Sequence, residues 1–496
     1  MTPVFLLAVG CSPPAPAPSG GGVAAPTREP APAARTDGDA PARRRGPPNV
    51  LLVVLDDVGV DKVAAYGESK DAPPTPTLSG LAREGVLFRN AWAHPYCSPT
   101  RAAIQTGRYA GRFGLGYVVF PERDGPELPP SAVTLPEMLE RAPTRWDSSL
   151  VGKWHLGSSQ SGPAATHPGR QGYAWYASTL DNLHGPRGYW SWTRNENGTL
   201  REETRYATTV VADDAIARTR AMAEPWLLTL AFHAAHAPWH DPPPELGGTL
   251  GPNAGPAERY DAMLRAADAE LGRVLSSMDP AVRARTMVFV IGDNGTADPA
   301  VRPPRDPAQA KGTVYELGVN VPLIVAGPLV TRPGESDALV HAVDLFPTIA
   351  DLANVELTTL PDPVDGRSLL PALADPTAAI HPTILTETFQ PNGAPRPVAR
   401  ARAIRGPRYK LVAAERQGQP PVEQLFDLKG REDDGPDLLA TGTLSEDARQ
   451  ALQALRAELA RQLPDDGAGE GDGAPPREGK AKAGGPPGKA RKHEGR

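Results

Sequence analysis

The stretch NVLLVVLDD, residues 49–57, runs through branched and leucine side chains without a polar break and then ends in two aspartates. A segment apolar on both of its alternating faces fits a strand covered on both sides, the condition of a parallel sheet between helical layers. Four more stretches share that character: SSLVGKWHLG, WLLTLAFHAAH, TMVFVIGDNG and VPLIVAGP. Between them lie helical patterns such as DAMLRAADAELGRVLSSM, in which Met263, Leu264, Ala267, Leu271, Val274 and Leu275 share one face. Strands alternating with helices predict an α/β fold with a large doubly wound, mostly parallel sheet. Later, RAIRGPRYKLVAAE and EQLFDLKG read as shorter strands and LSEDARQALQALRAELARQL as a helix capped by Ser445, predicting a smaller C-terminal α+β subdomain.

The ends of the chain differ from this body. MTPVFLLAVGCS is an apolar run too short to span a bilayer and similar to the signal of a bacterial lipoprotein, with Cys11 as the lipidated residue. Residues 12–48 are rich in Pro, Ala and Gly and read as a tether, and residues 464–496, rich in Gly, Pro and Lys, as a disordered tail. The expected organisation is a signal at 1–11, the tether, a catalytic α/β domain at 49–395, the α+β subdomain at 396–463 and the tail. Such a protein is exported and anchored in the cell envelope, touching membrane only through a lipid on Cys11. A net charge of -6 supplies no general field for nucleic acid, so any anionic substrate must be held by local groups.

Four of the five strand-like runs lead straight into reactive side chains: Asp56 and Asp57, Lys153 and His155, His236 with His233 nearby, and Asp293 and Asn294. Ligands of open α/β sheets bind at the carboxyl ends of the strands, so these groups are expected to converge on one crevice. Asp56, Asp57, Asp293 and Asn294 offer only oxygen donors, a set that suits a hard cation, Ca²⁺ or Mg²⁺. Lys153 and His155 alternate, which places them on one side of an extended backbone, and a cation beside a proton carrier suits an anionic substrate. His233, His236 and His240 lie close in sequence, a spacing that raises zinc, though Pro238 interrupts helical spacing and the other donors are oxygens. Lys311, flanked by glycine in AKGTVYELG, precedes a further strand.

Only two cysteines occur, so a disulfide framework is excluded and each cysteine needs its own explanation. Cys97 stands in HPYCSPTRAAIQTGRY. With Ser98 as cap and Pro99 in the first turn, a helix would begin there, placing Cys97 at its N-terminus beside Arg101, where an anion is stabilised. A phosphatase-type thiol nucleophile would need a longer, glycine-bearing loop between Cys and Arg.

The stretch CSPTR instead resembles the C-x-P-x-R signature of type I sulfatases, members of the alkaline phosphatase-like superfamily. Other motifs are similar to that family in the expected order: VLLVVLDDVG, GKWHLG, GDNG, KGTVYELGVNVPLIV, HAVDLFPTIADL and LFDLKGREDDGPDLLA. AAHAP replaces a usual Pro-His pairing, leaving His233 and His240 as alternatives to His236. The resemblance implies an arylsulfatase-like hydrolase that cleaves aryl or carbohydrate sulfate monoesters, with Cys97 oxidised to formylglycine by a maturation enzyme. It further implies a divalent cation on Asp56, Asp57, residue 97, Asp293 and Asn294. Arg101, Lys153 and Lys311 would stabilise charge, His236 would protonate the departing alcohol, and His155 would take a proton from residue 97.

Two other readings compete. A phosphonate or phosphate ester hydrolase of the same superfamily is disfavoured by Asn294, where relatives that cleave phosphonate diesters carry His. A non-catalytic, surface-tethered protein that binds sulfate esters or glycans would leave Cys97 unconverted. The segment HPGRQGYAWYASTLDNLHGPRGYWSWTRNENG, rich in aromatic, His and Arg residues, is a candidate pocket lining. Its Asn197-Gly-Thr matches a glycosylation acceptor only on a eukaryotic secretory route, against which the lipoprotein-like start argues.

Overall fold

The structure, a computed structural model, describes residues 46–463 apart from 123–124, 186 and 432. The signal with Cys11, all but the end of the tether, and the tail lie outside the described residues. Among the described residues, fourteen strands form two sheets. They are β1 Asn49–Leu55, β2 Val86–Trp92, β3 Asp147–Lys153, β4 Trp175–Thr179, β5 Trp192–Glu196, β6 Thr199–Glu203 and β7 Trp226–Ala231. There follow β8 Thr286–Gly292, β9 Leu323–Ala326, β10 Gly334–His341, β11 Ile384–Gln390, β12 Ala399–Arg405, β13 Tyr409–Arg416 and β14 Val422–Asp427.

The ten-stranded sheet has the order β10-β2-β9-β8-β1-β7-β3-β4-β5-β6. Its centre, β8-β1-β7-β3-β4, is parallel throughout. Every residue of β1, β7 and β8 is buried, because helices cover both faces. Leu51, Val53 and Leu55 pack into one layer with Val210, Met263 and Leu271 of the helices Ala207–Ala221 and Pro256–Ser276. Val50, Leu52 and Val54 point the other way, towards Phe346 and Ile349 of the helix Leu345–Ala353. The period-two alternation of β1 thus feeds two apolar layers, the doubly wound arrangement the sequence predicts.

Two local expectations are corrected. VPLIVAGP forms a buried strand, β9, but it runs antiparallel to both neighbours, β8 and β2. A four-residue strand carries no signal of its direction; the two reversals leave β2 pointing the same way as β8, so the chain leaves β2 for Cys97 at the catalytic edge. Secondly, the smaller antiparallel sheet, β11-β12-β13-β14, takes in β11 at Ile384–Gln390, upstream of residue 396. The Asn197-Gly198 pair makes the tight turn of the β5–β6 hairpin, with φ of 49° and 86°.

The helix Glu446–Gln462, capped by Ser445 Oγ on the Ala448 amide, packs Leu452, Leu455 and Leu459 against the smaller sheet. That sheet is tied to the larger one by buried charge. Lys410 Nζ lies 2.7 Å from Asp434 and 3.2 Å from Glu316, and sits over the ring of Trp92. Glu316 also accepts from Trp92 Nε1 at 3.2 Å and pairs with Arg405 at 3.3 Å, while its amide donates to Asp434 at 2.6 Å. Deleting the ammonium leaves two buried carboxylates short of a partner, so Lys410→Ala is expected to cost about 3–5 kcal/mol in denaturant unfolding. An unchanged midpoint would show that the cluster contributes nothing to stability.

Candidate active site

Register brings the carboxyl ends of β1, β7, β8 and β3 side by side, and the residues after each turn into one buried cleft. Two glycines permit the close approach. Gly152, with φ of 92°, precedes Lys153, and a Cβ there would lie 1.8 Å from the Ala231 carbonyl oxygen of β7. At Gly295 a Cβ would meet the Leu317 carbonyl oxygen at 1.9 Å, so only glycine lets the Asp293–Asn294 loop lie against the segment that follows Lys311.

Asp56 and Asp293 are fully buried and face two cations. Lys153 Nζ donates to Asp56 Oδ2 at 2.6 Å. Arg101 donates to Asp293 Oδ2 through Nε at 3.0 Å and a terminal nitrogen at 2.7 Å, and to the Lys153 carbonyl at 2.8 Å. Burial opposes ionisation of Asp56, but the charges of Lys153, His236 and Arg101 outweigh it and hold the carboxyl well below the usual range. Burial and then the charge of Asp56 push the Asp293 carboxyl upward, the signature of two carboxylates sharing too little positive charge. Asp57, at φ 62°, donates its amide to Asp293 Oδ1 at 3.1 Å and accepts Lys311 Nζ and Asn294 Nδ2 on Oδ1. Burial lowers the Lys311 ammonium, but the Asp57 charge raises it further, so it stays protonated.

Cys97 is the first residue of the helix Cys97–Thr106, and Arg101, one turn on, shares its face. The expected cap is corrected: Tyr96 is the N-cap and Ser98 lies inside the first turn. There the Ser98 hydroxyl donates to the His155 carbonyl at 2.8 Å and accepts the Val119 amide at 3.0 Å, bonding distant backbone in preference to its own helix. His155 does not continue the extended strand; its φ of 59° swings the ring towards Cys97, so alternation with Lys153 is not what aims it. His155 Nδ1 is 3.2 Å from Cys97 Sγ and Nε2 is 3.0 Å from Asp181 Oδ1. Burial and the Lys153 charge lower the imidazole, keeping it neutral. With Nε2–H donated to Asp181, the Nδ1 lone pair faces residue 97.

The three clustered histidines separate. His236 Nδ1 donates to the Ala237 carbonyl at 2.7 Å, leaving Nε2 3.9 Å from Asp57 Oδ2. His233 Nε2 bonds Thr179 at 2.8 Å, and His240 bonds Tyr206 and the Pro238 carbonyl. Among the described residues they do not gather as a zinc site, and His236 is the one placed against Asp57.

The residues present fit a hard cation. Donor atoms of Asp56, Cys97 and Asp293 lie within 4.8 Å of one another, as do those of Asp56, Asp57 and His236. Asp56 Oδ1 and Asn294 Oδ1 are buried without a hydrogen-bond partner among the described residues. Two orphaned oxygens facing an excess of carboxylate are what a divalent ion satisfies. Asp181 escaped the sequence reading, although it follows β4 and the strand-end rule that found the others applies to it. It belongs to the aromatic segment, which lines a cavity of about 440 Å³ with Thr179, Asp181, His184, Trp192 and Asn195.

An α/β sheet that gathers acidic, basic and imidazole groups at its strand ends is the frame of a hydrolase acting on an anionic ester, and comparison with known proteins gives its family. The sequence profile described as Sulfatase matches residues 48–355, and that described as N-sulphoglucosamine sulphohydrolase, C-terminal, matches residues 309–462. The chain belongs to the sulfatase family. It is 32% identical over 361 residues to N-acetylgalactosamine-6-sulfatase of Homo sapiens, the match covering 66% of each chain. With arylsulfatase A of Bos taurus it shares 26% identity over 461 residues, covering 83% of this chain and 86% of that one. The chain therefore spans just under two thirds of the first relative's length. Among solved structures, Ps i-CgsB in complex with k-i-k-neocarrahexaose shares the fold at a TM-score of 0.71 and 24% identity, covering 85% of this chain and 93% of that one. BT4656 in complex with D-glucosamine-2-N,6-O-disulfate does so at 0.68 and 18%, covering 86% and 100%.

Calorimetric titration of chelator-stripped protein with Ca²⁺ is expected to show one site per chain, weakened about ten-fold or more in Asp56→Asn and in Asn294→Ala. Equal affinity in all three proteins would remove these oxygens from the cation site.

Proposed function

We propose that this sulfatase hydrolyses aryl or carbohydrate sulfate monoesters to alcohol and sulfate, with residue 97 as formylglycine and a cation, Ca²⁺ before Mg²⁺, on Asp56, Asp57, residue 97, Asp293 and Asn294. The observation that carries this reading is the placement of Cys97 Sγ 3.2 Å from a neutral His155 Nδ1, above carboxylates faced by Lys153, Arg101 and Lys311. Arginine and lysine heads in a water-poor cleft favour a monoanionic ester and the charge that grows on it as the bond to the leaving oxygen breaks. When bound, the cation would withdraw charge from the ester oxygens, and formylglycine hydrate would supply the attacking hydroxyl.

The chain's own groups do the rest. Arg101, fixed by two bonds to Asp293 and one to the Lys153 carbonyl, orients residue 97 one helical turn before it. Asp181 holds Nε2–H of His155, so Nδ1 is the atom that accepts a proton from residue 97. Lys311 Nζ, kept protonated beside Asp57, donates to the departing alcohol, and His236, whose Nδ1–H is committed to the Ala237 carbonyl, joins it when Nε2 also carries a proton, a form that burial disfavours and the Asp57 charge favours. Asn294 in the place of a second histidine supports sulfate over a phosphonate diester. Conversion of Cys97 requires a formylglycine-generating enzyme as partner, and the lipoprotein-like start supports anchorage in the envelope through Cys11.

Peptide mass spectrometry of the segment containing residue 97 is expected to give the mass of formylglycine or its hydrate, and Cys97→Ala to lose about a thousand-fold or more in turnover. An unmodified thiol in fully active protein would overturn the reading.

A further inference from the structure

The chain is acidic overall, yet arginines gather on the smaller sheet beside the catalytic mouth. A cavity of about 310 Å³ is lined by Tyr96 and Gly312, the neighbours of Cys97 and Lys311, and by Arg400 and Arg416 of the β12–β13 hairpin. A second, of about 530 Å³, is lined by Arg396, Arg400 and Arg416. A third, of about 550 Å³, is lined by Arg416 with Tyr117, Phe120 and Val398. Arg416 lines all three, which makes them neighbours around one side chain, a groove whose first part has Tyr96 and Gly312 on its wall.

The chemistry along the groove is of two kinds. An aromatic row leads out of the site: Tyr96 meets Tyr117 edge-on at 4.6 Å between centroids, and Tyr117 meets Phe120 at 6.4 Å. Phe120 is an exposed large apolar residue, as is Val398. Such faces suit the apolar faces of sugar rings. The guanidinium groups suit a different part of the ligand, since a planar fork of N–H donors matches the oxygens of a sulfate. Arg416 is exposed and makes no ion pair among the described residues. Among the described lining residues the carboxylate beside it, Glu415, is itself paired with Arg402 at 2.9 Å.

We propose that this groove binds the further sugars of a polysulfated oligosaccharide, with Arg416 and Arg400 holding a second sulfate while the first lies at residue 97. The inference rests on the sulfatase reading and narrows it from aryl or carbohydrate sulfates to sulfated carbohydrate chains. Arg400 and Arg416 belong to the smaller sheet, so a ligand that reaches them from residue 97 extends over that sheet. Cavities of this size lie within the range that holds bound organic ligands. Attraction between exposed arginines and sulfates weakens with salt, so the extra affinity is expected to fall as ionic strength rises.

Calorimetric binding of fully sulfated maltotetraose at low salt tests this, alongside turnover of para-nitrophenyl sulfate. Arg416→Glu is expected to weaken tetrasaccharide binding about ten-fold and leave aryl sulfate turnover within about two-fold. Arg201→Glu, on β6 at the far edge of the large sheet, makes the same change in net charge and is expected to leave both unchanged. Equal binding by wild type and Arg416→Glu, or equal weakening by the two variants, would overturn the groove. Loss of aryl sulfate turnover in Arg416→Glu alone would overturn it too, by placing Arg416 in the catalytic machinery. A wild-type protein that binds the tetrasaccharide through Arg416 but turns over no sulfate ester would instead overturn the catalytic reading and leave the groove standing.

Discussion

Two carboxylates buried at the ends of parallel strands, Asp56 and Asp293, face two buried cations, Lys153 and Arg101. Charges so far from water must be paired, and each of these four comes from a different segment of the chain. Their pairing therefore fixes the relative positions of β1, β8, β3 and the helix that begins at Cys97. The positive groups do not fully satisfy the carboxylates, since Asp56 Oδ1 is left without a partner and Asp293 is pushed towards its neutral form. That remaining imbalance makes the cleft a place for a cation. The same cations make it a place for an anionic ester.

The smaller sheet is connected to this centre through several residues. Lys410 and Asp434 hold Glu316, which lies five residues after Lys311, so the segment that delivers the second lysine to Asp57 is clamped from the other sheet. The opposite end of the β12–β13 hairpin carries Arg400 and Arg416 into the groove beside Tyr96. The sheet thus both steadies one side of the site and supplies chemistry next to it.

Much of this was legible in the sequence because parallel-sheet strands are apolar on both faces and end where their ligands sit. NVLLVVLDD and TMVFVIGDNG display the strand and the candidate cation ligands in one stretch, and CSPTR with GKWHLG displays the rest of the candidate site. What was not legible depends on tertiary contacts. The direction of β9 is set by its neighbours. Ser98 gives up the capping position because the His155 carbonyl and Val119 amide offer it partners from elsewhere in the chain. His155 reaches Cys97 through a left-handed backbone turn that no pattern of alternation foretells. Asp181 was concealed among aromatic residues, and its bond to His155 requires β4 to lie beside β3. The choice of His236 over His233 and His240 likewise needed the folded chain, where only the first stands against Asp57.

The central claim is that this arrangement serves a singly charged sulfur ester and not a phosphorus one. It is tested most directly by kcat/KM for a sulfate, a phosphate and a phosphonate ester that share one leaving alcohol. The site described here predicts that the sulfate is preferred by about a hundred-fold or more. A preference for either phosphorus ester would contradict it.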